Sequence, residues 1–437
     1  MARIKGIRIP HHKNTAKHVP EPIPTPPEVR LPMTMHSGTP AKPIVAAGDL
    51  VKVGQLIAEP GERVSSPVHA SVSGKVKSID EFNPITGEKE LSIVITADGE
   101  QTPCEGSGNN PPMVTNTAEF LNAVQNSGVV GLGGAGYPTA AKLSLKEGTT
   151  LDYILINGME CEPFVTADAR TMIDDTEDVC EGAKLLMEYI KPKQIIICIG
   201  DNNPEAIEKM KSKAGAGISV EVLPHKYPQG ERKLLVYKVT GRIVPEGGRL
   251  TDVGCTVLNC TTVSVFAKYI KTGIPYSHRI VTVDGSGVKN PKNVIAPLGT
   301  AIKYLFDYCG GLTDDASRII MGGTMMGKAV PSLEMPLVKT TNAVLALNEK
   351  DSELPLETAC IKCGRCISEC PMNLMPSLIE DAFEKKNTET LEKLKVNLCI
   401  ECGCCAYLCP AVRPLAQVMT LSKNMLYNFG RSETGID

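Results

Sequence analysis

From residue 150 onward, short apolar runs alternate with stretches whose apolar positions recur at helical spacing. D-Y-I-L-I-N (Asp152 to Asn157) and Q-I-I-I-C-I-G (Gln194 to Gly200) are strand-length runs, and S-V-E-V-L-P follows as a third. Helices are predicted between them, near 175–190 and 204–213. This alternation predicts a parallel sheet with crossover helices. A short helix is also expected over T-A-E-F-L-N-A-V-Q-N (Thr117 to Asn126). A small α+β unit is expected over 278–330, and a helical, cysteine-rich piece from 355 on.

Upstream the period changes. Residues 41–98 carry short apolar strands punctuated by glycine turns, as in D-L-V-K-V-G-Q-L-I-A (Asp49 to Ala58) and S-S-P-V-H-A-S-V-S-G-K-V (Ser65 to Val76). The pattern resembles the barrel-sandwich half-motifs of biotinyl and lipoyl domains. The tip between the halves, Glu59 to Ser66, has no lysine to carry a swinging arm, so a structural or docking module is expected. Residues 18–32 hold six prolines, which predicts an extended strap. Residues 100–115 read as a linker.

Sixteen cysteines would suit a small secreted scaffold, but the chain has 437 residues and no apolar run beyond strand length. Its N-terminus has basic residues without an apolar h-region, so no signal peptide is expected. A reducing, cytoplasmic setting follows, with the cysteines as metal ligands or buried thiols. The formal charge of −3, from 46 basic and 49 acidic side chains, gives no reason to expect nucleic acid as a partner. No transmembrane segment is expected either.

Two runs carry the most specific signal. Cys360, Cys363, Cys366 and Cys370-Pro371 repeat as Cys399, Cys402, Cys405 and Cys409-Pro410. This is the bacterial ferredoxin spacing, in which the fourth cysteine serves the other cluster. Two 4Fe-4S clusters are expected: Cys360, Cys363 and Cys366 with Cys409, and Cys399, Cys402 and Cys405 with Cys370. The alternative is a zinc module. Cys404 reads as a spare thiol. Cys104, Cys161, Cys180, Cys198, Cys255, Cys260 and Cys309 are scattered and read as buried thiols.

G-L-G-G-A-G-Y-P-T (Gly131 to Thr139) fits G-x-G-x-x-G, yet only Val129 and Val130 precede it as a possible strand, and Pro138 falls where a Rossmann helix would run. Pro138 instead suits the first position of a new helix. The loop therefore reads as a backbone cradle for an anion or a flat ring, with Lys142 one turn into the helix and placed for a phosphate; the alternatives are an ordinary Rossmann turn and a tight glycine turn with no ligand.

Four ordered motifs, G-L-G-G-A-G-Y-P-T-A-A-K, N-G-M-E-C-E-P, Y-P-Q-G-E and L-N-C-T-T, resemble those of the NADH-oxidising flavin subunit of respiratory complex I. With the barrel in front and two ferredoxin runs behind, the whole order resembles the RnfC subunits of Rnf-type ferredoxin:NAD oxidoreductases. The resemblance implies a multidomain α/β fold: an extended segment (1–40), a barrel-sandwich domain (41–98), a modified Rossmann-like FMN/NADH domain (115–262), a β-grasp soluble-ligand-binding unit (276–330), a ferredoxin-like two-cluster domain (355–415) and a tail (416–437). It implies two 4Fe-4S clusters, FMN and NAD(H) as cofactors. Gly131, Gly133, Gly134 and Gly136 would line the flavin and nicotinamide, and Lys142 would hold the FMN phosphate. Asn157 and Glu160 would contact the flavin. Glu162 and Tyr137 would face the nucleotide. Tyr227, Gly230 and Glu231 would close the site. Asn259, Cys260 and Thr262 would flank the phosphate and ribityl chain.

Leu132, Met159 and Arg232 stand where complex I subunits have Arg, Asp and Glu. The implied activity is hydride exchange between NAD(H) and FMN, with single electrons relayed through the clusters and no catalytic base. The implied setting is the cytoplasmic face of a bacterial membrane, as a peripheral subunit among the other subunits of an Rnf-type complex, with ferredoxin reached indirectly. The alternatives are a soluble flavin–iron–sulfur reductase, such as a cobalamin reductase or proline-reductase partner, and a non-enzymatic iron–sulfur scaffold.

Overall fold

A computed structural model describes residues 4–83 and 89–434. The first unit is the expected β module, but it begins earlier than position 41. Strand Glu28–Pro32 pairs antiparallel with Glu90–Ala97, which pairs with Gly74–Phe82 and then Leu50–Val51. A second sheet holds Lys42–Pro43, Leu56–Glu59 and Val68–His69. Pro27 and Pro32 bracket the early strand, and Val29 and Leu31 alternate inward onto Ile57, Val76 and Ile93. The prolines had masked this period-two pattern.

The middle unit is the parallel sheet. Its strands are β1 (Tyr153–Gly158), β2 (Gln194–Gly200), β3 (Ile218–Leu223) and β4 (Cys255–Asn259), in the order β3-β2-β1-β4. All three pairings are parallel. The helices are α1 (Thr117–Asn126), α2 (Thr139–Leu143), α3 (Ala167–Asp174), α4 (Thr176–Tyr189), α5 (Pro204–Lys213), α6 (Arg232–Thr240) and α7 (Cys260–Thr272). Apolar side chains leave both sheet faces. Ile154 and Ile156 enter the large core with α1, α4 and α7, whereas Leu155 packs with Leu235 and Val257. Strand order reverses between β1 and β4, and open α/β sheets bind ligands beyond the carboxyl ends of the strands at such a point.

Helices α4 and α7 approach closely at Gly182, where an added Cβ would stand 2.5 Å from Val263 Cγ1 and 2.6 Å from its carbonyl oxygen. Replacing Gly182 with alanine is expected to cost about 1–3 kcal/mol of stability. Denaturant unfolding of the apo chain checks this.

The β-grasp unit is a six-stranded mixed sheet that runs further than position 330. Its order is Glu21–Pro22, Lys292–Pro297, His278–Asp284, Ala343–Asn348, Ala316–Met321, Lys328–Ala329. The proline-rich strap thus supplies one edge, and Ala343–Asn348 lies inside the sheet. The C-terminal helix, Leu415–Thr434, buries Leu415, Val418 and Met419. Met425 and Leu426 pack against Ile379 and Leu391, so this segment is part of the cluster domain's core. The last three positions of the expected tail lie outside the described residues. No helix among the described residues is long and apolar enough to cross a membrane.

Candidate flavin and cluster sites

The glycine loop reaches the switch point from upstream of β1. It closes on itself through Gly131 N–H to Tyr137 O (2.9 Å) and Gly136 N–H to Gly131 O (3.0 Å). Thr262 anchors it: its hydroxyl donates to Val130 O (3.1 Å) and accepts from Leu132 N–H (2.9 Å). Asn259 ends β4 and caps α7 by accepting from Thr262 N–H. A Cβ on Gly133 would lie 3.4 Å from Asn259, whereas one on Gly134, at φ +106°, would meet nothing within 4 Å. The loop therefore walls an open cradle beside β4. Tyr137 is exposed at its rim. Pro138 is the residue before α2, one position earlier than expected, and α2 is a single turn and a half.

Lys142 follows this loop, in α2. The residue is half-buried, and its ammonium donates to Val257 O on β4. Burial, then the charge of Arg232, lowers its pKa to about 8. A partly buried cation held by a carbonyl favours an anion beside it, as the FMN phosphate would be.

At the end of β1, Asn157 donates to Gly230 O (2.9 Å) and accepts from Met159 N–H (3.1 Å). A Cβ on Gly230 would press on Met159 and Cys161, which brings the Y-P-Q-G-E loop onto β1. Glu160 faces the start of α3. Its carboxylate accepts from the N–H groups of Asp168 (2.6 Å) and Ala169 (3.3 Å) at the start of α3, with Lys13 Nζ at 3.8 Å. Burial raises its pKa to about 8 against the pull of Lys13. Glu231 likewise caps α6, accepting from Lys233 and Leu234. Both carboxylates satisfy orphan helix N–H groups. Cys260 is buried, with its thiol against Asp168 O. Glu162 accepts from Met325 N–H (3.0 Å), while its Oε1 is buried without a partner among the described residues; burial raises its pKa to about 6.

Several residues were missed by sequence reasoning. Asp168 accepts from Asn259 Nδ2 (2.6 Å) and Thr261 (2.7 Å), fixing the end of β4. Lys13, from the N-terminal strap, donates to the carbonyls of Glu160 and Val165. Lys339 and Arg279 tie the loop to the β-grasp unit: Arg279 donates to Leu132 O (2.8 Å) and Lys339 O.

The cysteine runs form a structural repeat. Short helices Arg365–Ser368 and Cys404–Tyr407 each follow a left-handed glycine, Gly364 and Gly403, both at φ +74°. Lys362 and Glu401 are left-handed two residues earlier, at +53° and +55°. Cys370, Cys399, Cys402 and Cys405 line one cavity with apolar walls that include Met419. Burial pushes the Cys399 thiol up to about 11 and that of Cys405 up to about 12. A cationic iron centre is what turns such buried thiols into thiolates. In the other set, Cys360 and Cys363 are exposed and Cys366 and Cys409 half-buried. Thr358 N–H donates to Ala411 O (3.0 Å), drawing the chain before Cys360 alongside that after Cys409. Cys404, inside the second run, is buried in an apolar cluster with Ile7, Ile9 and Tyr227. Of the scattered cysteines, Cys104 and Cys161 are only partly buried and the rest are buried.

Known domain families match in chain order. The RnfC barrel sandwich hybrid domain matches residues 2–100, the Nuo51 FMN-binding domain 124–267, the SLBB domain 280–329 and a 4Fe-4S dicluster domain 359–412. That series defines an oxidoreductase subunit with FMN and 4Fe-4S domains, built as a barrel, a flavin fold, a ligand-binding unit and a dicluster module. The chain is 39% identical over 377 residues to the corresponding subunit of the proton-translocating ferredoxin:NAD(+) oxidoreductase complex of Clostridium ljungdahlii, covering 85% of this chain and 82% of the relative. It is 36% identical over 393 residues to the counterpart from the Na(+)-translocating complex of Acetobacterium woodii, covering 89% and 88%. The chain belongs to this RnfC family of ferredoxin:NAD(+) oxidoreductase complex subunits. The fold is shared with a chain of an NAD+-reducing NiFe hydrogenase in its H2-reduced state, at TM-score 0.51 and 17% identity over 74% of this chain and 67% of that one.

Proposed function

We propose that this chain is the NAD(H)-reacting peripheral subunit of an ion-translocating ferredoxin:NAD oxidoreductase, attached through the other subunits of an Rnf-type complex to the cytoplasmic face of the membrane. Ferredoxin is reached indirectly, through those subunits. FMN supplies two-electron exchange of hydride with NAD(H) and one-electron exchange with two 4Fe-4S clusters. The observation that carries the reading is an open glycine cradle at the sheet's switch point, with Lys142 in the helix that follows it and bonded to β4.

Gly131, Gly133, Gly134 and Gly136 give backbone access to a flat ring, and Lys142 neutralises its phosphate. Asn259 and Thr262 hold the loop against β4 so that the cradle keeps its shape. Asn157, Gly230 and Tyr227 shape the far wall, and Tyr137 and Glu162 border the side open to nicotinamide. Glu160, Glu231 and Cys260 support the site from behind, by fixing α3, α6 and the end of β4. The two cysteine sets carry the clusters. No side chain serves as acid or base.

The test is anaerobic addition of NADH to the full chain with reconstituted clusters and FMN. The expected result is bleaching of the flavin absorbance followed by that of the clusters. A chain that takes up full iron and sulfide yet binds no flavin would leave only an electron-transfer scaffold.

A further inference from the structure

We infer that Tyr227 is the positioning residue that joins the flavin wall to one particular cysteine set, Cys370, Cys399, Cys402 and Cys405. That set is then the inner one, and Cys360, Cys363, Cys366 and Cys409 form the outer one. The inference rests on the flavin reading above and adds an order to its two clusters.

The Tyr227 ring is 1% exposed. Its hydroxyl donates to the carbonyl of Cys402 at 2.7 Å, a contact 175 positions apart in the chain. Its ring shares an apolar cluster with Ile7, Ile9, Cys402 and Cys404. Its backbone N–H and carbonyl both pair with Ile7 in one antiparallel bridge, with N–H to O distances of 3.0 and 2.8 Å. Three residues later, Gly230 accepts from Asn157 at the end of β1. One short loop therefore touches the flavin wall at Gly230 and the cysteine module at Cys402. A second contact runs beside it: Gly403 packs so closely on Met325 that a Cβ would stand 3.2 Å from the Met325 carbonyl. Among the described residues the other set has no such junction, and Cys360 and Cys363 are open to solvent.

A hydroxyl that donates to the carbonyl of a ligating residue places a positive dipole end beside the cluster. Hydrogen bonding and solvent exposure are the levers by which a protein sets cluster potential. Losing this bond disfavours the reduced cluster and leaves a buried carbonyl unpaired.

The experiment uses the full chain with FMN and both clusters loaded, and compares the parent with Tyr227→Phe in EPR-monitored redox titrations. In Tyr227→Phe one cluster is expected to be harder to reduce, with its reduced-to-oxidised ratio at fixed potential falling about two- to tenfold. The second cluster is expected to keep its midpoint. Cys405→Ser and Cys363→Ser assign the signals. The sensitive signal is expected to vanish in Cys405→Ser and to persist in Cys363→Ser. Unchanged midpoints for both clusters, or a sensitive signal that vanishes in Cys363→Ser instead, would overturn the inference. If FMN fails to bind the parent chain, the flavin reading fails first. If FMN binds and the midpoints are unmoved, only the inference fails.

Discussion

Replacing Lys142 with methionine is expected to strip FMN from the chain while changing the apo stability little. The two effects have one cause. In the apo chain the ammonium is partly buried, donates to Val257 O, and has its pKa lowered to about 8 by burial and then by Arg232. Removing a partly buried charge that has no acidic partner among the described residues relieves desolvation, which offsets the lost bond to Val257 O, and methionine fills the same space. With FMN bound, the same ammonium would face a phosphate. Deleting one partner of a desolvated charge pair costs roughly 2–5 kcal/mol, so the Kd is expected to rise at least about 30-fold.

The pH dependence has a definite sign. The folded pKa lies below the ordinary 10.5. Between about pH 8 and 10.5 the unfolded chain therefore holds a proton that the folded apo chain lacks, and this residue's contribution to apo stability rises with pH across that window. A phosphate favours the protonated lysine, so FMN affinity is expected to fall over the same window. Fluorescence titration of FMN at pH 7 and pH 9, on parent and Lys142→Met chains, checks both statements. A variant that binds FMN as tightly as the parent would remove Lys142 from the site.

What could be read ahead of the structure was what is local. The helix Thr117–Asn126 announces itself by its apolar spacing and its Asn116 cap. The run Gln194–Gly200 can hardly be anything but a buried strand, and the cysteine spacing is a short-range signature of its cluster. Contacts made by distant chain reversal were not legible, and neither was the local role of a residue inside a motif. Glu160 and Glu231 read as ligand contacts, and in the apo chain their carboxylates accept from N–H groups in the first turns of α3 and α6. A motif marks where the chain turns near a ligand, but it does not separate the residue that touches the ligand from the one that holds the turn. The strand Ala343–Asn348 pairs parallel with His278–Asp284, a non-local pairing with no turn signal to announce it. The Tyr227 hydroxyl finds Cys402 only once the cluster domain folds back over the flavin wall.

Lys339 is the extreme case, and its replacement is expected to have the largest effect on stability. It lies in a stretch with no motif, and is fully buried. Its ammonium donates to Pro67 O (2.6 Å), Gly128 O (2.7 Å) and Ser66 Oγ (3.2 Å). One side chain from the β-grasp unit thereby pins the barrel to the residue that leads into the glycine loop. Lys339→Met keeps the volume but leaves two carbonyls without that donor, at a cost of about 1–3 kcal/mol for each buried group left unpaired. Because Gly128 lies three positions before Gly131, FMN affinity is expected to weaken as well.

Burial lowers the Lys339 pKa to about 7. Burial and the Lys339 charge together lower His36 to about 4 and His69 to about 3. Below pH 7 the parent therefore bears the cost of a buried cation. Between pH 7 and 10.5 the unfolded chain binds the extra proton, and stability from this residue rises with pH. The methionine variant lacks that titration, whereas Lys142 and Glu160 titrate alike in both chains and cancel in the difference. The stability gap between parent and Lys339→Met is thus expected to be wider at pH 9 than at pH 6, as read from urea midpoints. A gap that is constant with pH, or narrower at pH 9, would mean that Lys339 is not held as a desolvated amine at this junction.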